Sequence, residues 1–213
     1  APAAESDVCI ASKTSAIKTF DDVFKREMVT GAAGTSTYDF PVVLNALLGT
    51  KFKLVKGYNG SSGLRLAYER GEIEGFCGLG LDSLHSLGIT KDNATILVQT
   101  SLKSDPRLPG VPLIADYAKT AEARQIMQLI FGWLVMDRPL AAPPGTPPER
   151  VAALRSGFDQ TMADPAYRAD LTKSALSFSP MRGSQIASFI EEVYRTPAEV
   201  AHKAAHLLGR HVP

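Results

Sequence analysis

Residues 27–40 read EMVTGAAGTSTYDF and decide the fold class, because this stretch joins a short apolar run to a glycine-rich turn and a helix. Residues 28–31 predict a strand, and residues 37–48 predict a helix. The glycines let successive backbone N–H groups converge, and Ser36 or Thr37 can cap the helix. We interpret the turn as a cradle in which N–H groups and a helix N-terminus face an anion. The alternative is a tight strand-to-helix turn that binds no ligand.

The segments around this stretch alternate between strand and helix. Further strands are predicted at residues 7–11, 51–58, 72–78 and 94–100, and further helices at residues 19–26, 64–70 and 121–130. Residues 79–88 predict a loop. After a proline-rich connection at residues 138–151 the chain is predicted to be nearly all helical, with a late strand at residues 176–181. The pattern predicts an α/β fold with a mostly parallel sheet flanked by helices, followed by a helical C-terminal region.

A second small polar loop follows the strand at residues 51–58. It reads KGYNGSS at residues 56–62 and leads into a predicted helix. Because parallel strands end at one edge of a sheet, the two loops predict a shared ligand-binding edge. Tyr58 offers a flat apolar wall with a hydroxyl at its tip, and ordinary half-buried packing is the alternative. Arg138 is the arginine expected near this site. The alternative is a plain ion pair, either at the surface or between two lobes of the protein.

Composition and missing motifs exclude several function classes. Lys and Arg together number 23 against 22 Asp and Glu, without a block of like charge, so no nucleic acid or membrane surface is expected as a partner. The longest apolar stretch, residues 126–135, is too short to span a membrane. The glycine loop lacks the lysine of a nucleotide-binding P-loop. His202 and His206 are interpreted as residues of a terminal helix rather than as a metal pair. We expect no metal, no cofactor and no enzyme activity.

The two cysteines, Cys9 and Cys77, both lie in predicted strands. Two buried free thiols are the favoured interpretation, because a cysteine with apolar neighbours behaves as a small hydrophobic residue. A disulfide forms instead if the two strands are neighbours and the compartment is oxidising. An alternative function, a small α/β enzyme, would use Cys77 as a nucleophile beside the glycine loop.

The order of these segments resembles the solute-binding receptors of tripartite tricarboxylate transporters, also called Bug receptors. The resemblance extends over almost the whole chain, and its most specific parts are LPGVP at residues 108–112, APPGTPPERV at residues 142–151 and ADPAYRADL at residues 163–171. It implies a periplasmic, two-lobed protein of the type II binding-protein architecture. Such a receptor would capture a small carboxylate (a di- or tricarboxylate or an aromatic acid) and deliver it to the permease subunits of a membrane transporter.

The resemblance also implies which residues bind the ligand. The carboxylate-binding loop of the second lobe falls on Gly31, Ala32, Ala33, Gly34, Thr35, Ser36 and Thr37. A second binding stretch falls on Tyr58, Gly60 and Ser61. Asn59 stands where the family often has a basic residue, and Cys77 and Gly78 stand where an acidic residue is frequent. These differences concern the identity of the ligand.

The resemblance covers the second lobe and the C-terminal region of the family, while the first lobe has no counterpart in this chain. Residues 1–104 are therefore expected to form an α/β ligand-binding lobe. Residues 105–213 are expected to form a connection and a helical region that would pack partly on the missing lobe. A partner chain or a dimer is expected to cover that surface. A ligand-sensing lobe of a transcription regulator is a further alternative.

Overall fold

The computed structural model describes residues 1–174 and 176–210 and divides the chain into two compact units. The sheet unit comprises Ser6–Gly132 and the segment that begins at Pro197. The helical unit comprises Ala1–Glu5 and Trp133–Thr196. These bounds differ from the expected division at residue 104, which stays a prediction.

The sheet unit is built on five strands in the order β3-β2-β4-β1-β5. They are β1 (Asp7–Ser12), β2 (Met28–Ala32), β3 (Phe52–Lys56), β4 (Gly75–Gly80) and β5 (Ala94–Gln99). β2 pairs in parallel with β3 and β4, whereas β1 lies between β4 and β5 and is antiparallel to both. Four strands therefore run in one direction. The mixed α/β architecture confirms the predicted fold class, with β1 as the strand that runs the other way.

Nine α-helices lie in the described part of the chain. They are α1 (Asp22–Lys25), α2 (Thr35–Leu48), α3 (Gly60–Glu69), α4 (Leu81–Ser86), α5 (Ala121–Phe131), α6 (Pro148–Ala163), α7 (Pro165–Lys173), α8 (Gly183–Tyr194) and α9 (Ala198–Leu207), and 3-10 helices cover Ile114–Tyr117 and Gly132–Met136. The C-terminal region is helical, as predicted. No helix in the described residues is both long enough and apolar enough to cross a membrane.

Two predicted elements are wrong, and each has a local cause. Residues 79–88 contain α4 rather than a loop alone, because leucines at 81, 84 and 87 recur at a helical spacing and Leu84 is buried. Residues 176–181 form no strand. Ser179 and Met181 donate their N–H groups to the carbonyls of Pro2 and Ala1 at 3.2 and 2.9 Å, and bonds to this two-residue stretch are too few to form a strand.

The predicted helix at residues 19–26 is shortened to α1. The Asp22 carboxylate accepts the N–H groups of Lys18 and Thr19 at 3.0 and 2.9 Å, so these residues form a turn rather than a helical start.

The core of the sheet unit follows from strand alternation. Val8 and Ile10 of β1 and Phe76 of β4 belong to one apolar cluster with Leu64 of α3 and Leu84 of α4. Because side chains alternate along a strand, Cys9 and Cys77 face the opposite side of the sheet. α2 packs against β2, β3 and β4 and contacts α9. The sheet is thereby fixed between helices, and its C-terminal edge stays lined by loops and helix starts.

Candidate functional site

Parallel strands bring two helix N-termini together at one edge of the sheet. β2 ends at Ala32 and β3 at Lys56, and these two residues are paired in the parallel ladder. α2 begins three residues after β2, and α3 begins at Gly60, so the two connecting loops lie side by side. Backbone N–H groups at a helix N-terminus carry partial positive charge. This edge therefore favours a negatively charged group.

Thr37 holds the first turn of α2 in place. Its Oγ1 accepts the N–H of Ala33 at 2.9 Å and the N–H of Gly34 at 3.0 Å. The same hydroxyl donates to the carbonyl of Gly34 at 3.1 Å, and Thr37 is buried. The structure thus places the Thr37 side chain as an internal cap, with its hydroxyl fully engaged. Of the two capping residues that the sequence offered, Thr37 is the one that caps the turn.

The donors that remain belong to the start of α2. No described residue accepts a hydrogen bond from the N–H groups of Thr35 or Ser36. Gly34 and Thr35 are exposed, and Ala33 and Ser36 are half-buried. Two N–H groups and two hydroxyls, all belonging to Thr35 and Ser36, can therefore face a ligand.

Gly31 and Ala32 are buried within β2. A Cβ atom on Gly31 would lie 2.6 Å from Ile73 Cδ1, 2.6 Å from Leu64 Cδ2 and 3.3 Å from Tyr58 Cε2. The glycine therefore lets these side chains, including the Tyr58 ring, close against β2. Gly31 therefore contributes to the packing beneath this edge of the sheet and does not offer a free backbone N–H group to a ligand.

The second loop supports the start of α3. Gly57 and Gly60 adopt left-handed backbone conformations, with φ angles of 99° and 66°, which glycine tolerates without strain. Gly60 and Ser61 are exposed, and Tyr58 is half-buried. The structure therefore brings the predicted residues of the second loop to the same edge as the start of α2.

Lys56 is a site residue that the sequence prediction left out. Its ammonium lies 4.3 Å from the centroid of the Tyr38 ring, in the first turns of α2. It forms no ion pair with any residue that the structure describes. The sequence signal was its place as the first residue of the polar loop KGYNGSS at residues 56–62. Lys56 adds a full positive charge beside the helix dipole.

Gly78 is a second omitted residue. Its φ angle is 78°, and a Cβ atom here would lie 2.6 Å from both the carbonyl carbon and the oxygen of Ser36. Any side chain at this position would displace the start of α2.

Asp39 is the buried acid of α2. Burial raises the pKa of its carboxyl group, and the Arg210 guanidinium, 2.6 Å away, opposes that rise. The ion pair offsets the negative charge of Asp39. The anion-binding character of the helix start is therefore retained.

Arg138 belongs to the helical unit. Its guanidinium lies 3.3 Å from the Asp137 carboxylate and 3.9 Å from the Glu5 carboxylate, and its φ angle is 52°. These contacts match the ion-pair alternative that the sequence left open. A ligand-binding role for Arg138 stays a prediction.

The cysteines are not free thiols. Cys9 and Cys77 form a disulfide between β1 and β4, so the favoured interpretation was wrong. The reason is the insertion of β1 beside β4, which places the two residues directly opposite each other. A disulfide sulfur is not a thiolate nucleophile, and the alternative enzyme that uses Cys77 loses its reactive group. Among the described residues no cluster of His, Cys, Asp or Glu could hold a metal ion.

No family model matches the chain, and no curated protein matches it. Several solved structures share its fold. A TctC solute-binding protein from Polaromonas, solved without ligand, has a TM-score of 0.62 at 12% identity and matches 97% of this chain and 67% of its own length. Rpa4515 of R. palustris with adipate has a TM-score of 0.60 at 17% identity, matching 95% of this chain and 66% of its own. The periplasmic binding protein BugD has a TM-score of 0.58 at 17% identity, and the match covers 95% of this chain and 68% of BugD. The chain thus has the fold of these solute-binding proteins and spans about two thirds of their length.

Proposed function

We propose that this chain acts as a solute-binding protein that captures a small carboxylate for a tripartite tricarboxylate transporter. The observation that carries the proposal is the pair of adjacent helix starts at the C-terminal edge of β2 and β3, where the N–H groups of Thr35 and Ser36 have no acceptor among the described residues. Each carboxylate oxygen accepts hydrogen bonds from such donors, and the helix dipole adds to the attraction. The fold shared with solute-binding proteins, one of them holding adipate, supports the same function.

The mechanism we propose is binding without covalent chemistry. A carboxylate would lie against the start of α2, where Thr35 and Ser36 supply N–H and hydroxyl donors and Thr37 keeps the turn in shape. The Tyr58 ring would form an apolar wall for the carbon skeleton of the ligand. Gly60 and Ser61, at the start of α3, would contact a second polar group.

The proposed location is the periplasm, and the proposed partners are the permease subunits. The Cys9–Cys77 disulfide supports an oxidising compartment. The helical unit exposes large apolar side chains, among them Leu140 at 81% and Tyr194 at 86%. We propose that a complementary lobe, supplied by further polypeptide or by a partner chain, covers part of this surface, because such exposed apolar groups mark interaction sites.

A thermal-shift screen tests the proposed ligand class. We expect citrate, adipate or benzoate to raise the Tm, because a ligand that binds only the folded state stabilises it by mass action. Phosphate esters are expected to have a weaker effect. Replacing Thr35→Ala and Ser36→Ala together removes two hydroxyl donors and is expected to weaken carboxylate binding about tenfold, at roughly 0.5 to 1.5 kcal/mol per hydrogen bond.

The matched control is Ser86→Ala, because Ser86 is the last residue of α4 and its hydroxyl donates to the Asp82 carbonyl at 2.9 Å. It should leave the carboxylate-induced rise in Tm unchanged. Selective stabilisation by phosphate esters, or equal carboxylate stabilisation in the double variant and the wild type, would contradict the proposal.

Lys56→Gln is expected to weaken citrate binding about two- to fivefold, since an exposed charge pair contributes roughly 0.2 to 1 kcal/mol. Titration calorimetry at low and high salt is the measurement, and the loss should shrink at high salt because ions screen the attraction. Lys53→Gln is the control, because Lys53 lies on the same strand but pairs with Glu27 at 3.2 Å. Equal losses in the two variants would show that net charge, rather than the position of Lys56, governs binding.

A further inference from the structure

The Cys9–Cys77 disulfide lies at an irregular point of the sheet. Cys9 and Cys77 are direct partners in the antiparallel pair of β1 and β4, and both are fully buried. The register between β1 and β4 shifts between Val8 and Cys9. The register between β1 and β5 shifts between Cys9 and Ile10. The disulfide therefore fixes β1 at the point where its ladders on both sides change register.

The register shift on the β4 side produces a bulge at Gly78. Val8 pairs with Leu79 and Cys9 pairs with Cys77, so Gly78 has no partner residue on β1. Its left-handed conformation, with a φ angle of 78°, suits a glycine in a β-bulge. A bulge bends its strand and re-aims the residues next to it. The bond at Cys77 thus holds the residue adjacent to the bulge.

The bulge contacts the start of α2. A Cβ atom on Gly78 would lie 2.6 Å from the carbonyl carbon of Ser36 and 2.9 Å from its Cβ. Ser36 is the second residue of α2 and carries one of the N–H groups without an acceptor among the described residues. A change in the bulge therefore acts directly on the backbone that offers these donors.

We propose that the disulfide and the Gly78 bulge form a redox-sensitive positioning device for the start of α2. In the oxidised protein the bond fixes the register of β1 and β4, the conformation of the bulge and the position of the Ser36 backbone that contacts it. A dithiol reductant converts the bond to two thiols: its thiolate attacks one sulfur, its second thiol releases the mixed disulfide, and the reductant leaves as a cyclic disulfide. Two electrons and two protons are thereby transferred to Cys9 and Cys77. Without the bond, the register and the bulge relax, and the N–H groups of α2 change position.

The ligand-independent test is an amide NMR spectrum of the oxidised protein, the dithiothreitol-reduced protein and the Cys9→Ala/Cys77→Ala variant. We expect the amide resonances of Thr35, Ser36 and Thr37 to shift on loss of the bond, while those of Ser61 and Ser62 at the start of α3 stay in place. Gly78→Ala, which keeps the disulfide, should shift the same α2 resonances. Unchanged α2 resonances in a folded protein without the bond would overturn the proposal. Global unfolding on loss of the bond would also overturn the proposal, because the bond would then stabilise the whole fold rather than position the start of α2.

The effect on binding rests on the proposed function and is measured separately with citrate and adipate. We expect loss of the bond to weaken the affinity about tenfold, with Gly78→Ala causing a similar loss. If neither probe binds the oxidised wild-type protein, the proposed function fails, and the NMR comparison still decides the positioning role. If the probes bind all forms equally while the α2 resonances move, the proposed carboxylate site is wrong and the positioning device stands.

Discussion

Gly75→Ala is expected to lower the free energy of unfolding by about 3 to 5 kcal/mol, in the range of the most damaging single substitutions. A Cβ atom at this position would lie 1.9 Å from the carbonyl oxygen of Ile10 and 2.6 Å from Met28 Cε. The Met28 side chain can move, but the Ile10 oxygen belongs to the backbone of β1. Because β1 is hydrogen-bonded to strands on both sides, it cannot retreat without breaking a ladder.

Urea denaturation followed by circular dichroism measures this loss. Gly157→Ala is the matched control, because Gly157 lies inside α6 and a Cβ atom there meets nothing within 4 Å. We expect that control to be neutral or to stabilise by roughly 0.5 to 1 kcal/mol, as alanine is the better helix former. A loss below about 1 kcal/mol for Gly75→Ala would contradict the close approach of β4 to β1.

Arg107→Met is expected to cost about 2 to 3 kcal/mol at pH 7. Arg107 donates to Asp105 through Nη2 at 2.7 Å and through Nε at 3.1 Å, and it reaches Asp82 at 2.8 Å. The Asp105 side chain is only 7% exposed, so loss of the guanidinium leaves a nearly buried carboxylate without its main cation. The expected loss is smaller than for a fully buried pair because Arg107 is 43% exposed.

The pH dependence of this loss has a definite sign. Burial alone would raise the pKa of Asp105, but hydrogen bonds from the Arg107 side chain and backbone and from Ser6 lower it from 3.8 to about 2. Because the folded pKa lies below the unfolded one, the stabilisation is present above pH 3.8 and is lost as the pH falls toward 2. The difference between wild type and Arg107→Met should therefore shrink between pH 7 and pH 3.

Urea titrations of both proteins at pH 7 and pH 3 test this expectation. Arg65→Met is the control, because Arg65 and Glu69 form an exposed pair on α3 at 2.8 Å. That substitution should change stability by less than about 0.5 kcal/mol at either pH. If Arg65→Met and Arg107→Met cost the same at pH 7, the Arg107 cluster contributes no more than an ordinary surface ion pair.

The alternation of strand and helix was readable from the sequence because periodicity and glycine turns are local signals. The loop at residues 31–37 and the polar loop at 56–62 lie at one edge of the sheet, as expected for loops that follow parallel strands, and the binding of a ligand there stays a prediction. The antiparallel insertion of β1 was not readable, because the apolar pattern of a strand carries no information on its direction. For the same reason the disulfide was only the alternative to two free thiols, because the pairing of β1 with β4 is what places Cys9 opposite Cys77.

The chemistry of individual site residues was harder to predict than their location. The sequence offered both Ser36 and Thr37 as caps, and only the geometry shows that the Thr37 hydroxyl is engaged by the loop. The sequence marked Gly78 only as a difference from the resembled family, and its contact with Ser36 appears only in the structure. Lys56 opened the polar loop in the sequence, but its contact with the Tyr38 ring depends on the pairing of β3 with β2.

The position of β1 between β4 and β5 also constrains how the chain can fold during synthesis. β1 is synthesised well before either of its partner strands, since β4 begins at Gly75 and β5 ends at Gln99. At roughly 5 to 20 residues per second, β1 stays without its ladder for several seconds. During that interval its apolar residues and both unpaired edges are open to aggregation. Among the strands of this sheet, β1 therefore has the greatest need of a chaperone while the chain is still growing.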